Sequence, residues 1–232
     1  MGTPACGCAH SQHDPRLVVL TGGPGAGKTA VLEIIRRNFC EHIAVLPEAA
    51  GIVFGGGFPR KSTLEGRRAS QRAIFTVQQQ LEALALAERH AALVLCDRGT
   101  LDGLAYWPLD ESSFFAEAGT TRSAELARYA TVIHLRTPSS TQGYDHRNPI
   151  RTETALEAAA VDARIVEAWA GHPHRSFVES SDDFLDKAAR AVALVRAEAP
   201  RCCARHRVSE LQRPRERESP AVEPSPSAAL RE

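Results

Sequence analysis

The sequence predicts an α/β fold in three layers, a five-stranded parallel sheet covered by helices on both faces. Two observations carry that expectation. Short apolar runs bounded by turn residues alternate with longer stretches of helical period, the pattern of strands buried on both sides and joined by helical crossovers. One of these runs, Leu17 to Thr21, passes directly into a glycine-rich segment and then into an apolar helical stretch.

The expected strands are Leu17 to Thr21, Ile43 to Leu46, Leu93 to Cys96, Val132 to Leu135 and Ser176 to Val178. Val31, Leu32, Ile34 and Ile35 mark a helix after the first strand. Ile74, Val77, Leu81 and Leu84 recur at spacings of three and four, as do Leu156, Ala160, Ala163, Val166 and Trp169 behind a capping box at Thr154 and Glu157. Ser180 or Ser181 caps a last helix that carries Phe184, Ala188, Ala191, Val192 and Val195 on one side. All three stripes are expected to pack into the core.

At 232 residues and 43% hydrophobic content the chain is long enough for one sizeable core. Residues 1–15 read as a loose leader and residues 16–198 as one domain. Residues 199–232 turn to Arg, Glu, Ser and Pro and cannot bury enough apolar surface to offset their ordering entropy, so a disordered tail is expected. Lys+Arg and Asp+Glu stand at 28 each, which leaves no net field to draw the protein onto nucleic acid or an anionic bilayer. No apolar run approaches the roughly 20 residues of a membrane span, and the N-terminus lacks the pattern of a signal peptide. A soluble, cytoplasmic protein is the expectation, and oligomeric state is not legible.

Reduced thiols are expected of the six cysteines, with Cys40 and Cys96 in packing roles. Cys6, Cys8, His10 and His13 form one loose cluster and Cys202, Cys203 and His206 another, neither with zinc-finger spacing.

On a neutral chain an anion must be held by a local site. Gly22-Gly23-Pro24-Gly25-Ala26-Gly27-Lys28-Thr29 supplies one, in the strand–loop–helix context that the Walker A pattern requires. Glycines let main-chain N–H groups surround phosphate oxygens without a Cβ in the way, and the following helix adds its positive end. Lys28, one of only three lysines, would reach the β- and γ-phosphates while the Thr29 hydroxyl ligates Mg²⁺. At about 4 Å and an effective dielectric near 20, one such charge pair is worth roughly 4 kcal/mol.

Leu93-Val-Leu-Cys-Asp97 is an apolar strand that ends in an acid, the Walker B pattern, with Asp97 as a second Mg²⁺ holder or, in the plainer reading, a helix cap. Arg98 follows, where ring-shaped motor ATPases usually carry a water-activating glutamate.

Gly22 to Thr29, Pro47-Glu48-Ala49-Ala50, and the segment Asp97-Arg98-Gly99 to Tyr106 with Asp102 together resemble the small AAA-type ATP-binding domains related to NadR-like ribosylnicotinamide kinases. More distantly, the chain is similar to deoxynucleoside and nucleoside-monophosphate kinases. The resemblance covers roughly residues 16–198. It implies a three-layer P-loop NTPase fold of the kinase type, with sheet order 2-3-1-4-5, ATP and Mg²⁺ as cofactors, and transfer of a phosphoryl group to a small molecule such as a nucleoside or riboside. It also implies that Glu48, at the end of the second strand, contacts the acceptor. Either Glu48 or Asp97 could then act as general base.

Arg98 could clamp an acceptor phosphate or ribose, or pair with Asp102 or Glu48. Tyr106 and Trp107 offer a stacking surface or simply core. Gly55-Gly56-Gly57 lacks the flanking elements of a second phosphate loop and reads as a flap. Thr137 to Arg151 is broken by Pro138, Gly143 and Pro149 and has the length of a lid that would bring Arg147 and Arg151 to the transferring group.

Three classes stand against one another: a small-molecule kinase, a regulatory ATPase or nucleotide switch, and an interaction protein whose catalysis has faded. None of the three lysines lies in the Asn/Thr-Lys-x-Asp motif with which guanine switches read their base, so ATP is the expected nucleotide. Deleting residues 201–232 should leave the melting temperature nearly unchanged. A large drop would show that the tail packs on the domain.

Overall fold

A computed structural model describes residues 12–138, 155–180 and 183–200. Cys6, Cys8, His10, Cys202, Cys203, His206 and the Thr154 cap lie outside the described residues.

The most apolar run forms the central strand. In β1 (Arg16–Thr21) every residue after Arg16 is buried. It pairs in parallel with β3 (Leu93–Asp97) on one side and β4 (Thr131–Leu135) on the other. The outer strands are β2 (Ile43–Leu46), beside β3, and β5 (Arg175–Val178), beside β4. The order is therefore β2-β3-β1-β4-β5, as the sequence implies.

Alternation along the strands sends side chains to two separate cores. Val18, Leu20, Leu93, Leu95, Ile133 and Leu135 pack on α1 (Lys28–Asn38) and α7 (Phe184–Glu198). Leu17, Val19, Val94, Cys96 and Val132 face the other layer. That layer includes Phe75 of α3 (Leu64–Glu88), Leu101 of a 3-10 helix (Thr100–Tyr106), Phe114 of α4 (Glu111–Ala118) and Ile165 of α6 (Ala155–Ala168). Two shorter helices, α2 (Ala49–Gly55) and α5 (Arg122–Ala127), complete the described elements. The chain leaves β1 for β2 and β3 on one side and returns to β4 and β5 on the other. The carboxyl ends of these strands thus open a crevice of the kind where ligands bind in such sheets.

All three helical stripes need correction, that of α7 only at its start. On α3 the buried residues are Ser70, Phe75, Gln78 and Glu82, while Leu84 is 57% exposed and Ile74, Val77 and Leu81 are only partly buried. The inner face of this helix is polar because Glu82 finds its partners there: Arg128, Tyr129 and Gln78 all bond its carboxylate. On α6 the inner face is Ala158, Val161, Asp162, Ile165 and Ala168, whereas Leu156 is 83% exposed and Ala160 and Ala163 also face outward. Trp169 alone of the expected stripe is fully buried. On α7, Ala188, Ala191, Val192 and Val195 are buried as expected, but Phe184 is 41% exposed. Its cap is Asp183, which accepts from the Leu185 N–H at 2.8 Å, rather than Ser180 or Ser181.

Cys40 and Cys96 are both buried with free thiols, and Cys96 belongs to the second of these cores. Gly55 to Gly57 close α2 instead of forming a flap: the Gly56 N–H bonds the Ile52 carbonyl, and Gly57 takes φ +93° to turn the chain away. Trp107 belongs to the core, edge-on to Phe114, with its indole N–H on the Ser113 hydroxyl.

Candidate active site

At the carboxyl end of β1 the chain makes a turn that only glycine can make. Gly22 has φ +139°, and a Cβ there would lie 2.1 Å from the Leu135 carbonyl oxygen. Gly25 and Gly27 also take positive φ, at +77° and +91°, and Gly27 is the residue from which α1 starts. The N–H groups of Gly25, Gly27, Lys28 and Thr29 have no acceptor among the described residues. Unclaimed donors beside a helix N-terminus form a ready anion cradle.

Lys28 is buried and lies over this loop, donating to the carbonyls of Gly22 at 2.7 Å and Gly23 at 3.0 Å. Burial, followed by the nearby Arg98 charge, pushes its pKa down to about 7, against the pull of Asp97, Glu48 and Asp102. Behind the loop, Asp162 accepts the Gly23 N–H at 3.0 Å and the His134 Nε2 at 2.8 Å, and pairs with Arg136 at 3.3 Å. Burial opposes the charge on Asp162. The bonds from His134 and Gly23, with Arg136, nevertheless hold its carboxyl below the usual range. At the loop's other side, the Thr137 hydroxyl donates to the Pro24 carbonyl at 3.3 Å.

Asp97 ends β3 beside β1. Its Oδ1 is buried and has no hydrogen-bond partner. Burial raises its pKa, with Glu48 and Asp102 adding to the rise and Lys28 and Arg98 opposing it. A buried carboxylate oxygen without a donor fits a divalent cation, so Asp97 and the exposed Thr29 hydroxyl at the end of the phosphate loop suit Mg²⁺ in the chemistry of their oxygens.

Arg98 is left-handed, with φ +72°, a conformation that costs a non-glycine residue about 1–3 kcal/mol. Its guanidinium holds the strain in place: Nε donates to Glu48 at 2.7 Å, and Nη1 to the Gly22 carbonyl at 3.2 Å and to Asp102 at 3.4 Å. Burial works against the charge on Arg98, but Tyr106, Asp102 and Glu48 hold its proton more firmly than usual. Asp102 in turn accepts from the Gly99 N–H, the Trp169 indole and the Thr21 hydroxyl. Both pairings weighed for Arg98 in the sequence are thus made at once.

Glu48, at the start of α2, faces a cavity of about 570 Å³ between α2, α3 and the 3-10 helix. Burial raises its pKa, yet the charge and hydrogen bond of Arg98, with Lys28 and Arg60 behind, bring it below the ordinary value. Arg98 and Tyr106 line the same cavity, together with Phe54, Arg60 and Gln78. The structure therefore brings together Gly22 to Thr29, Glu48, Asp97 and Arg98. Arg147 and Arg151 lie outside the described residues. Asp102, Asp162 and Gln78 were not singled out for the site from the sequence. Asp102 falls one helical turn after Arg98, which was the signal available for it. No sequence signal pairs Asp162 with Gly23 across 139 positions.

With this loop and this strand order, the class is a P-loop nucleotide-binding domain of the kinase topology. A family model described as "AAA domain" matches residues 17–187, and the chain belongs to that family. Among solved structures it is similar to the thymidylate kinase of Candida albicans, at 12% identity and a TM-score of 0.56, over 80% of this chain and 92% of that one. At that identity the likeness is one of fold. No curated protein matches the chain in sequence. Among the described residues no helix is long and apolar enough to cross a membrane.

With its pKa pushed down to about 7 by burial and by Arg98, Lys28 carries less than a full charge in the free protein at pH 8, and a polyphosphate on the loop would draw it toward the charged form. The nucleotide complex then holds more protons than the free protein. Calorimetry at pH 8 in buffers of differing ionisation enthalpy should show proton uptake on binding ATP–Mg²⁺, with affinity rising as pH falls from about 9 to 7. Binding without uptake would show that Lys28 is already charged.

Proposed function

We propose that this protein is a kinase that transfers the γ-phosphoryl group of ATP–Mg²⁺ to a small molecule seated in the cavity beside Glu48. The observation that carries the reading is a shared wall. One guanidinium, that of Arg98, bonds the Gly22 carbonyl of the phosphate loop and the Glu48 carboxylate of the cavity. A phosphate donor on the loop and an acceptor in the cavity would thus meet at a single cationic group, and positioning of that kind supplies much of the rate in phosphoryl transfer.

The roles follow from the chemistry of each group. The amides of Gly25, Gly27, Lys28 and Thr29 and the Lys28 ammonium hold the phosphates. Thr29 and Asp97 would hold Mg²⁺, which would neutralise part of the phosphate charge. Glu48 lines the cavity and is held in its ionised form by Arg98, so it accepts the proton of the substrate hydroxyl while that oxygen attacks the γ-phosphorus. The bond from phosphorus to the β-bridging oxygen breaks, its electron pair leaves with ADP, and the proton passes from Glu48 to water. Asp97 is absent from the cavity lining, which favours Glu48 as the base and leaves Asp97 to the metal. Arg60, Lys61, Arg67 and Arg98 outnumber Glu48 and Asp102 in that lining, a balance suited to an anionic or phosphate-bearing acceptor.

The test is ATP consumption measured over a panel of nucleosides, ribosides and their phosphates. One acceptor class should stimulate turnover well above the basal rate. Glu48→Gln should lower the stimulated kcat by about 10²- to 10⁴-fold with ATP affinity nearly unchanged. A slow basal rate that no acceptor moves would overturn the kinase reading in favour of a nucleotide switch.

A further inference from the structure

The floor of the cavity holds a group whose polarity is fixed from behind. Gln78 is 3% exposed and lies on α3 one turn before Glu82, which is fully buried. The Gln78 amide donates from Nε2 to Glu82 Oε1 at 2.8 Å. The same carboxylate also takes the Tyr129 hydroxyl at 2.8 Å and the guanidinium of Arg128. A carboxylate paired with an arginine can only accept, so the amide edge turned toward it must be the NH₂. Flipping Gln78 would set its carbonyl oxygen against that carboxylate.

The lock is itself braced. The Tyr129 hydroxyl also meets the Thr100 hydroxyl at 3.0 Å, the Thr100 N–H bonds back to the Tyr129 oxygen at 2.9 Å, and Thr100 donates to Glu125 at 2.7 Å. The other end of Gln78 is left over. Its Oε1 has no hydrogen-bond partner among the described residues and is not sealed by protein atoms, and Gln78 lies on the cavity wall. A carbonyl oxygen in so buried a place calls for a donor. The rings of Phe54 and Tyr106 line the same space, and they suit a flat, partly apolar ligand.

We propose that Gln78 is a specificity-determining residue, a fixed hydrogen-bond acceptor that selects acceptor molecules carrying a planar ring with an N–H edge, such as a nucleobase or a ring carboxamide. This rests on the reading of the cavity as the acceptor site. A ligand presenting only lone pairs at that edge faces Oε1 unpaired, and so does one whose nitrogen is fully methylated.

The test is equilibrium binding by calorimetry with matched pairs: uridine and N3-methyluridine, inosine and N1-methylinosine, adenosine and N6,N6-dimethyladenosine, nicotinamide riboside and its N,N-dimethylcarboxamide. The proposal expects at least one parent compound to bind the wild type, and to bind at least about fivefold more tightly than its methylated partner. In Gln78→Met, which keeps the volume and loses the acceptor, that ratio should fall toward one, because a purely steric effect of the methyl group would persist. Glu82→Gln, which releases the lock, should lower the ratio with Gln78 still present. An equal affinity of parent and methylated ligands for the wild type would overturn the proposal, even if neither variant folds. So would a ratio unchanged in Gln78→Met, or no binding of any parent at millimolar concentration. Donor-dependent binding without stimulated ATP consumption would refute the kinase reading and leave the selectivity of Gln78 standing.

Discussion

Main-chain N–H groups can receive an anion only if something else claims the rest of their loop. In this protein the carbonyls of Gly22 and Gly23 are tied to Lys28, and that of Gly22 also to Arg98. The Gly23 N–H is given to Asp162. Gly22 is pressed so close to the Leu135 carbonyl that no side chain could stand there. These bonds, with that of the Ala26 N–H to the Gly23 carbonyl, hold the backbone in one shape while the donors of Gly25, Gly27, Lys28 and Thr29 stay unclaimed among the described residues. The strand order, the buried central strand and α1 are the scaffold on which this loop is hung, since Lys28 starts α1, Arg98 follows β3, Leu135 ends β4 and Asp162 lies on α6.

The second half of the site depends on the same anchors. Arg98 adopts a strained backbone at the end of β3, and the strain is sustained because Asp102 is bound in turn by Gly99, Trp169 and Thr21. A Cβ on Gly99 would come within 2.8 Å of the Trp169 ring, so the turn that aims Arg98 is packed from below as well. Backbone strain retained in this way is common where geometry serves a ligand. Here it lets one arginine reach the loop and the cavity together.

Much of this was legible in the sequence, and the limits have a physical cause. All five strands are present, four of them longer by one residue than their apolar runs, because apolar burial on both faces is a signal that neighbouring residues carry by themselves. The phosphate loop was legible because glycine, lysine and threonine at fixed spacing have few other uses in that context. The inner faces of α3 and α6 were misjudged. Periodicity detects apolar residues, whereas Glu82 and Asp162 are buried by pairing with groups far away in the chain, such as Arg128 at 46 positions from Glu82, and Gln78 is buried against Glu82 one turn along the same helix. Glu48 was legible only through its position after the second strand, and its bond to Arg98 was one of several readings. A hydrogen bond across the fold leaves no local pattern.

The central claim is that the main-chain donors of Gly25, Gly27, Lys28 and Thr29, with the Lys28 side chain, hold a magnesium–triphosphate. Titration of the protein with ATP–Mg²⁺ by calorimetry, beside Lys28→Ala and Gly22→Ala variants shown by circular dichroism to be folded, tests it most directly. The account predicts saturable binding by the wild type, weakened at least tenfold in both variants. Absence of heat from the wild type at millimolar nucleotide, or equal affinity in all three proteins, would contradict it.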